Sequence, residues 1–392
     1  MKKISSILII CLILLATMPA PVAASIVTPE TITDTLKAGD TEHDTITVTL
    51  PSTAPKGDVV FVFDASGSMG SQLTAMKAKA GDIMTDVRTG VPDTNFGVGS
   101  FVDYPHSYDN ADNDHYSAVY GDGSDYAWRL DQDLTSEPTA VQTGFNKIDI
   151  LNGYDWPQNY ARALYESKES FSWRNDAKKI VVIFGDAEPH AYPNGLSIGL
   201  TATNGGDPGR DEEMNTDDDL DYVTVVQSLA ASNIIVVAVD CSGYPGNART
   251  SFQYMADQTG GSRFDYSSDS IAADIVAKIS AATTADIKEL TIKVRDPTYA
   301  SWVTSTPTSY YGVPWGETRS FAVDITPPAD TFTGTYTIYL DVYGDGVLLG
   351  TTTVTKSIDG ITPAPEFPTL ALPVAMILGL MFIVYSVRLR KE

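Results

Sequence analysis

Three side chains with oxygen atoms follow one another closely near the start of the chain. Asp64, Ser66 and Ser68 stand in the sequence Asp-Ala-Ser-Gly-Ser, directly after the apolar run 59–63. Such a run is typical of a strand buried on both faces, and open α/β sheets bind ligands beyond the carboxyl ends of their strands. Carboxylate and hydroxyl oxygens are the ligands that Mg²⁺, Mn²⁺ and Ca²⁺ prefer. The pattern predicts a divalent-cation site; the alternative is that these residues only cap the following helix and bond local backbone groups.

The surrounding sequence predicts the elements that would position this turn. Further apolar runs at 96–102, 180–184 and 234–239 have the composition of buried strands. Apolar residues with helical spacing lie at 73–87, 141–148, 163–171, 223–229 and 271–279. This alternation predicts an α/β domain over residues 58–285, with a doubly wound, mostly parallel sheet.

The sequence on either side of this domain has the period of exposed strands. From 286 to 360, apolar residues alternate with polar ones between Pro and Gly turns, which predicts a small β-sandwich. Residues 45–50 also alternate, but they have no partner strand nearby in the sequence. We therefore expect segment 25–57 to supply a strand to the sandwich, so that the α/β domain is inserted in, or followed by, the β domain.

A second carboxylate is expected at the same edge of the sheet, because Asp186 ends the buried strand 181–185. The Asp-x-Ser-x-Ser turn, with its strand and helix, resembles the metal-ion-dependent adhesion site (MIDAS) of von Willebrand factor A (vWA) domains. The segments 96–103 (FGVGSFVD) and 152–159 (NGYDWPQN) are similar to the vWA-type domain of integrin β subunits. The resemblance implies that Asp186 belongs to the site, and that Gln158 stands where a ligand Glu would be. The implied set for Mg²⁺, or for Ca²⁺ or Mn²⁺, is Asp64, Ser66, Ser68, Gln158 and Asp186.

The departures from the integrin pattern have consequences for cation binding. The resemblance leaves open a second metal site, a neighbouring Ca²⁺ at Asp103 and Asp155. Ser71 and Gln72 stand where integrins have two acids for a third metal, so this third site is expected to be absent. Gln158 offers an oxygen without a charge, which predicts weaker cation binding than a Glu would give.

Both ends of the chain predict a location outside the cytoplasm. Residues 1–24 have the basic start, apolar run and small-residue end of a secretory signal peptide. Residues 370–387 are apolar and are followed by a basic terminus, which predicts a transmembrane helix with its basic end in the cytoplasm. With Pro365-Glu366-Phe367, the segment 361–392 resembles the PEF sorting signal of archaeal surface proteins, which implies processing by an archaeosortase. An ordinary membrane anchor is the alternative; both place the body on the cell surface.

The totals narrow the classes of partner. The chain has 392 residues and a formal net charge of −24, which argues against nucleic acid or an anionic membrane surface as the main partner. In the vWA family, an acidic group of the partner completes the coordination of the cation. The hypothesis is therefore a cell-surface protein that binds an extracellular protein or glycan through a divalent cation. A structural component of the cell envelope or surface layer is the alternative.

The insertion at 103–133 is acidic and aromatic, and it could provide a specificity surface through Tyr116, Tyr126 and Trp128. The alternative is that this loop packs on its own domain.

Catalysis is the less favoured hypothesis. Ser66, His190 and Asp186 could form a hydrolytic triad, and a bound metal could activate water. However, the turn is not a Gly-x-Ser-x-Gly elbow, and the sequence has no His-Glu-x-x-His motif. We therefore expect that the protein is not an enzyme.

Overall fold

The computed structural model describes residues 25–52, 54, 56–105, 120–201, 205–362 and 371–388. The predicted signal peptide, Tyr116 and the Pro365-Glu366-Phe367 motif lie outside the described residues.

The described residues form strands in two separate stretches of the chain. The first strands are β1 (Val27–Thr28), β2 (Thr31–Lys37), β3 (Glu42–Thr49), β4 (Gly57–Asp64), β5 (Thr94–Phe101), β6 (Arg129–Thr135), β7 (Lys178–Gly185), β8 (Ile234–Asp240) and β9 (Ser262–Asp265). The later strands are β10 (Ile287–Val294), β11 (Val303–Thr306), β12 (Ser309–Val313), β13 (Thr318–Ile325), β14 (Gly334–Gly344) and β15 (Val347–Asp359).

Most of the helices lie between the strands of the first stretch. The α-helices are α1 (Gly70–Gly90), α2 (Pro138–Lys147), α3 (Tyr160–Glu169), α4 (Tyr222–Ala231), α5 (Asn247–Thr259), α6 (Ile271–Thr284) and α7 (Ala371–Arg388). Short 3₁₀ helices cover Gly67–Met69, Gly195–Ile198 and Pro297–Trp302.

A six-stranded sheet with the order β6-β5-β4-β7-β8-β9 carries the candidate site. Its strands are parallel, except that β6 runs antiparallel to β5. Every residue of β4 is buried, because Val59, Phe61 and Phe63 pack with α1, α2 and α6, whereas Val60 and Val62 pack with α3, α4 and α5. The predicted mixed α/β organisation is confirmed.

The remaining strands build a β-rich region of two sheets, β1-β3-β13-β11 and β12-β10-β14-β15-β2. The strand expected at 45–50 is β3, which pairs antiparallel with β13. Strand β2 pairs in parallel with β15, near the other end of the sequence. Strands that precede β4 and strands that follow α6 therefore share the same sheets. The domain boundaries given above stay a prediction.

Helix α7 covers most of the segment expected to cross the membrane. Within the part of the chain that the structure describes, however, none of the helices reaches the length and apolar character that a membrane span needs. The expected transmembrane helix at 370–387 is therefore not confirmed.

Candidate metal centre

The carboxyl end of β4 places Asp64 at the edge of the sheet, between β5 and β7. Asp64 is fully buried, and its Oδ1 accepts a hydrogen bond of 2.9 Å from the backbone N–H of Ser66. The Ser66 and Ser68 hydroxyl oxygens lie 3.5 Å apart. Ser66 precedes the short 3₁₀ helix at Gly67–Met69 without forming a side-chain cap. The Ser66 side chain therefore does not cap this helix, whereas Asp64 does bond a local backbone group, as the alternative proposed.

Tyr160, the first residue of α3, connects the ends of β4 and β7. Its hydroxyl donates to Asp64 Oδ2 at 2.9 Å and accepts from the backbone N–H of Ala187 at 3.4 Å. The hydroxyl lies directly over Gly185, where a Cβ would come within 1.9 Å of it. Gly185 thus provides the space that lets Tyr160 orient the Asp64 carboxylate, and Asp186 is the next residue of the chain.

The loop 148–159 reaches the same edge of the sheet. The Leu151 N–H donates to Ala65 O at 2.9 Å, and a Cβ on Gly153 would lie 3.0 Å from the Cβ of Ser66. At its far end, the Gln158 N–H donates to Glu188 O at 2.9 Å. The structure therefore brings together the three predicted loops, which carry Asp64, Ser66, Ser68, Gln158 and Asp186.

The two carboxylates at this edge, those of Asp64 and Asp186, have raised pKa values and no basic partner among the described residues. Burial, together with the charge of Asp186, raises the pKa of Asp64 to about 7. Burial also raises the pKa of Asp186, although a hydrogen bond with Ser68 opposes the rise. Within the described part of the chain, neither carboxylate forms an ion pair with Lys or Arg.

Two buried oxygens of the predicted ligands make no hydrogen bond with any described residue. These atoms are Gln158 Oε1 and Asp186 Oδ1. Buried acceptors without a donor are costly, and most of them in native proteins have a partner. A hard divalent cation would satisfy oxygen acceptors of this kind. The residues at the edge therefore fit such an ion.

A second group of possible ligands lies beside the first. One ligand atom from each of Asp103, Asp155 and His190 lies within 4.8 Å of the others, and His190 Nε2 is 3.1 Å from Asp103 Oδ2. Burial raises the pKa of Asp103 well above its usual range, and the charges of Asp207 and Asp125 raise it further. The resemblance paired Asp103 with Asp155, whereas the sequence placed His190 only in a possible hydrolytic triad. Its place four residues after Asp186, on the same loop, was the available signal.

Two of the aromatic residues expected to face a partner, Tyr126 and Trp128, contact strand β5 of their own domain. The Tyr126 hydroxyl is hydrogen-bonded to Ser100 Oγ at 2.8 Å, and the Trp128 ring covers Gly99, where a Cβ would be 2.3 Å from it. Both side chains are partly buried on their own domain, as the alternative for this insertion proposed. Part of each ring fills space against β5, and the role of Tyr126 and Trp128 in partner binding stays a prediction. Tyr116 lies outside the described residues.

The chain matches the models of two known protein families. The model for the integrin beta chain VWA domain matches residues 55–270, more than half of the 392-residue chain. The chain belongs to this family. The model for the PEF-CTERM archaeal protein sorting domain matches residues 364–385. A vWA domain combined with an archaeal sorting domain indicates a surface protein of the adhesion type.

Solved structures that resemble this vWA protein do so only distantly. Proximal thread matrix protein 1 (PTMP1) from the mussel byssus has 15% identity and a TM-score of 0.38, over 61% of this chain and 48% of that one. The open form of the pilus adhesin SpaC from Lactobacillus rhamnosus GG has 11% identity and a TM-score of 0.38, over 81% of this chain and 45% of SpaC. Another PTMP1 structure, with a zinc-occupied MIDAS motif, has 15% identity, a TM-score of 0.39 and coverages of 61% and 48%. The chain spans about half the length of these proteins, and similarity this low carries no argument about its site.

Proposed function

We propose that the protein is a cell-surface adhesin that binds an extracellular protein or glycan through a divalent cation at its vWA domain. The proposed ligands are Asp64, Ser66, Ser68, Gln158 and Asp186. The observation that carries the proposal is that the carboxylates of Asp64 and Asp186 are both buried, and that Asp186 Oδ1 and Gln158 Oε1 have no donor in the described chain. Mg²⁺ is the proposed ion, with Ca²⁺ and Mn²⁺ as alternatives.

The residues around the site have separate roles in this proposal. Asp64 and Asp186 supply the negative charge, whereas Ser66, Ser68 and Gln158 supply uncharged oxygens. Tyr160 holds Asp64 Oδ2 by its hydrogen bond and thereby fixes the orientation of the carboxylate. A bound divalent cation would attract an acidic group of the partner, because positive charge in a partly dry site interacts strongly with a carboxylate.

A second cation is proposed at the cluster of Asp103, Asp155 and His190. Its support is the closeness of the three ligand atoms and the burial of Asp103 and His190. The catalytic alternative combines His190 with Ser66 and Asp186, whereas the carboxylate hydrogen-bonded to His190 Nε2 is that of Asp103. We therefore propose no enzymatic role.

The proposed location depends on the two terminal segments of the chain. We propose that residues 1–24 direct export and that residues 361–392 anchor the protein to the cell surface, with an archaeosortase removing the tail. The match to the PEF-CTERM sorting domain supports the second part. The mass of the protein isolated from its native membrane would test it, because removal of the tail shortens the chain by a defined number of residues.

Calorimetric titration of the full chain with Mg²⁺, Ca²⁺ and Mn²⁺ tests the cation site. The Asp64→Asn variant should lose at least about a hundred-fold in affinity, since loss of even an outer partner of a metal ligand costs about 10–100-fold. Asp82→Asn is the matched control, because it removes a carboxylate that is 72% exposed on α1. Equal heats for Asp64→Asn and the unchanged chain would refute the proposal. A chain that binds the cation but captures no soluble partner would favour the structural surface-layer alternative.

A further inference from the structure

Two large aromatic side chains are exposed directly beside the cation site. Tyr154 is 65% exposed and Trp156 is 63% exposed, on either side of Asp155. Their loop is fixed at both ends, because Gly153 contacts Ser66 and the Gln158 N–H is bonded to Glu188 O. The two rings are therefore carried by a loop whose backbone is tied to the candidate site.

Further apolar side chains are exposed at the same edge of the sheet. Tyr244, on the loop that follows β8, is 77% exposed, and Leu196, beyond β7, is 61% exposed. Because β4, β7 and β8 are parallel neighbours, the loops after their carboxyl ends meet at one edge of the sheet. Isolated exposed apolar residues are ordinary, whereas exposed apolar side chains that form a patch with a polar rim mark an interaction site.

The charge of these loops limits the partner. The segments 65–69, 148–159, 186–200 and 241–246 contain no Lys and no Arg. They do contain four acidic residues, Asp149, Asp155, Asp186 and Glu188. A strongly anionic partner would be repelled, because recognition of polyanions depends on clustered basic side chains. Within these four segments, the cation would be the only attraction for a negative group, and neighbouring negative charges on the partner would find no counterpart there.

The composition of the loops favours a protein partner. They are rich in Gly, Ser and Asn and carry exposed Tyr and Trp, the combination found in protein-binding loops of antibodies. Aromatic rings of this kind give a large contact area at a low cost in conformational entropy. They are also the residues on which protein interfaces most often depend.

We propose that Tyr154 and Trp156 form a docking surface that recognises the residues flanking an acidic side chain of a protein partner. These flanking residues are uncharged and apolar, and they pack on the two rings while the carboxylate meets the cation. The inference rests on the proposed function, since the cation holds the carboxylate. It adds the residues that select the partner and the chemical character of the segment that is selected.

The test uses peptides displayed on phage, with a fixed central Asp and four random residues on each side. A library with a central Asn is the control for the carboxylate. Selection on the full chain in Mg²⁺ should enrich apolar flanks in the Asp library only. The enriched peptides would be synthesised, and their affinity would be measured by surface plasmon resonance. They should bind the Tyr154→Ala and Trp156→Ala variants at least about ten-fold more weakly than the unchanged chain, because truncation of an interface aromatic typically causes such a loss. Tyr311→Ala removes an equally exposed ring from β12 and should leave binding unchanged.

Calorimetry with Mg²⁺ on the same variants separates the two proposals. If the unchanged chain gives no Mg²⁺ heat, the proposed function fails, and the inference fails with it. If Mg²⁺ binds normally but the flanks are charged, or the two aromatic variants bind as tightly as the unchanged chain, only the inference is overturned. If Mg²⁺ binds but the Asp and Asn libraries are equivalent, the role of the partner's acidic group in the proposed function is overturned as well. Oligogalacturonate is the probe for an acidic glycan. Suppose that oligogalacturonate binds the unchanged chain but not the Trp156→Ala variant, and that no peptide is enriched. The surface would then bind a glycan, which also overturns the inference.

Discussion

Two acidic clusters of the molecule differ in the source of their positive charge. In the β-rich region, Asp34, Glu42 and Asp44 surround the buried Lys356, whose Nζ lies 2.6 Å from Glu42 Oε2, 3.3 Å from Asp34 Oδ2 and 3.5 Å from Asp44 Oδ2. Burial alone would lower the pKa of Lys356, but its hydrogen bond with Glu42 and the nearby carboxylate charges raise it above its usual value. This cluster carries its own cation.

The edge of the vWA domain has the opposite character. Asp64 and Asp186 have no Lys or Arg partner in the described chain, and the pKa of Asp64 is raised to about 7. Lys356 joins β15 to β2 and β3, so its cluster connects the two ends of the β-rich region. The comparison indicates that one set of carboxylates serves the fold, whereas the other set is available to an external cation.

The largest expected effect on stability comes from removing the positive charge of Lys356. Lys356→Met should lower the free energy of unfolding by about 3 kcal/mol, because unpaired carboxylates remain. The figure is at the low end of the range for buried pairs, since side-chain exposure reaches 46% at Asp34 and 25% at Glu42. Urea unfolding measures it. Lys293→Met, on the partly exposed face of β10, is the control, and a Lys356→Met protein as stable as this control would show that the cluster is not needed for stability.

Removal of a charge from the vWA cluster should have the opposite effect on stability to the Lys356→Met change, and a pH series would show it. In the presence of a chelator, the pKa of Asp64 in the folded chain is raised to about 7. The pKa of an Asp in the unfolded chain is about 3.9. Between these values the folded state binds more protons, so the free energy of unfolding should fall as the pH rises. Asp64→Asn should flatten this slope and be the more stable protein at pH 8 without metal, by about 1 kcal/mol or more. Lys356 remains protonated over this range and should contribute no slope.

Added Mg²⁺ should reverse that loss above pH 7 in the unchanged chain, because a ligand that binds only the folded state stabilises it. Asp64→Asn should show no stabilisation by Mg²⁺. An unchanged chain whose stability is the same with Mg²⁺ and with chelator at pH 8 would contradict the account.

The smallest effect sharpens the comparison at a single oxygen. Gln158→Glu adds one negative charge to the cation site and should raise Mg²⁺ affinity about ten-fold, since affinity rises with ligand charge. It should also lower metal-free stability at pH 8, because the new carboxylate lies near Asp64 and Asp186. Gln258→Glu, at an exposed position near the end of α5, is the control and should alter neither quantity. A Mg²⁺ affinity that does not change in Gln158→Glu would remove Gln158 from the ligand set.

Much of the vWA site could be predicted because its signals are local. The buried runs that end at Asp64 and Asp186 define strand ends, and parallel strands bring such ends to one edge. The position of the Tyr160 hydroxyl over Gly185 depends on how α3 packs, which no spacing reveals. The covering of Gly99 by Trp128 is likewise a tertiary contact, so an aromatic insertion looked like a surface. The Lys356 cluster joins strands from the two ends of the chain, and the sequence pattern gave no sign of it.

The most direct test of the central claim is anomalous diffraction from crystals of the protein grown with Mn²⁺. We predict an anomalous peak within coordination distance of the Asp64 carboxylate and the Ser66 and Ser68 hydroxyls, and no peak among the carboxylates around Lys356. The absence of a peak at Asp64, at a Mn²⁺ concentration that saturates binding in solution, would contradict the account.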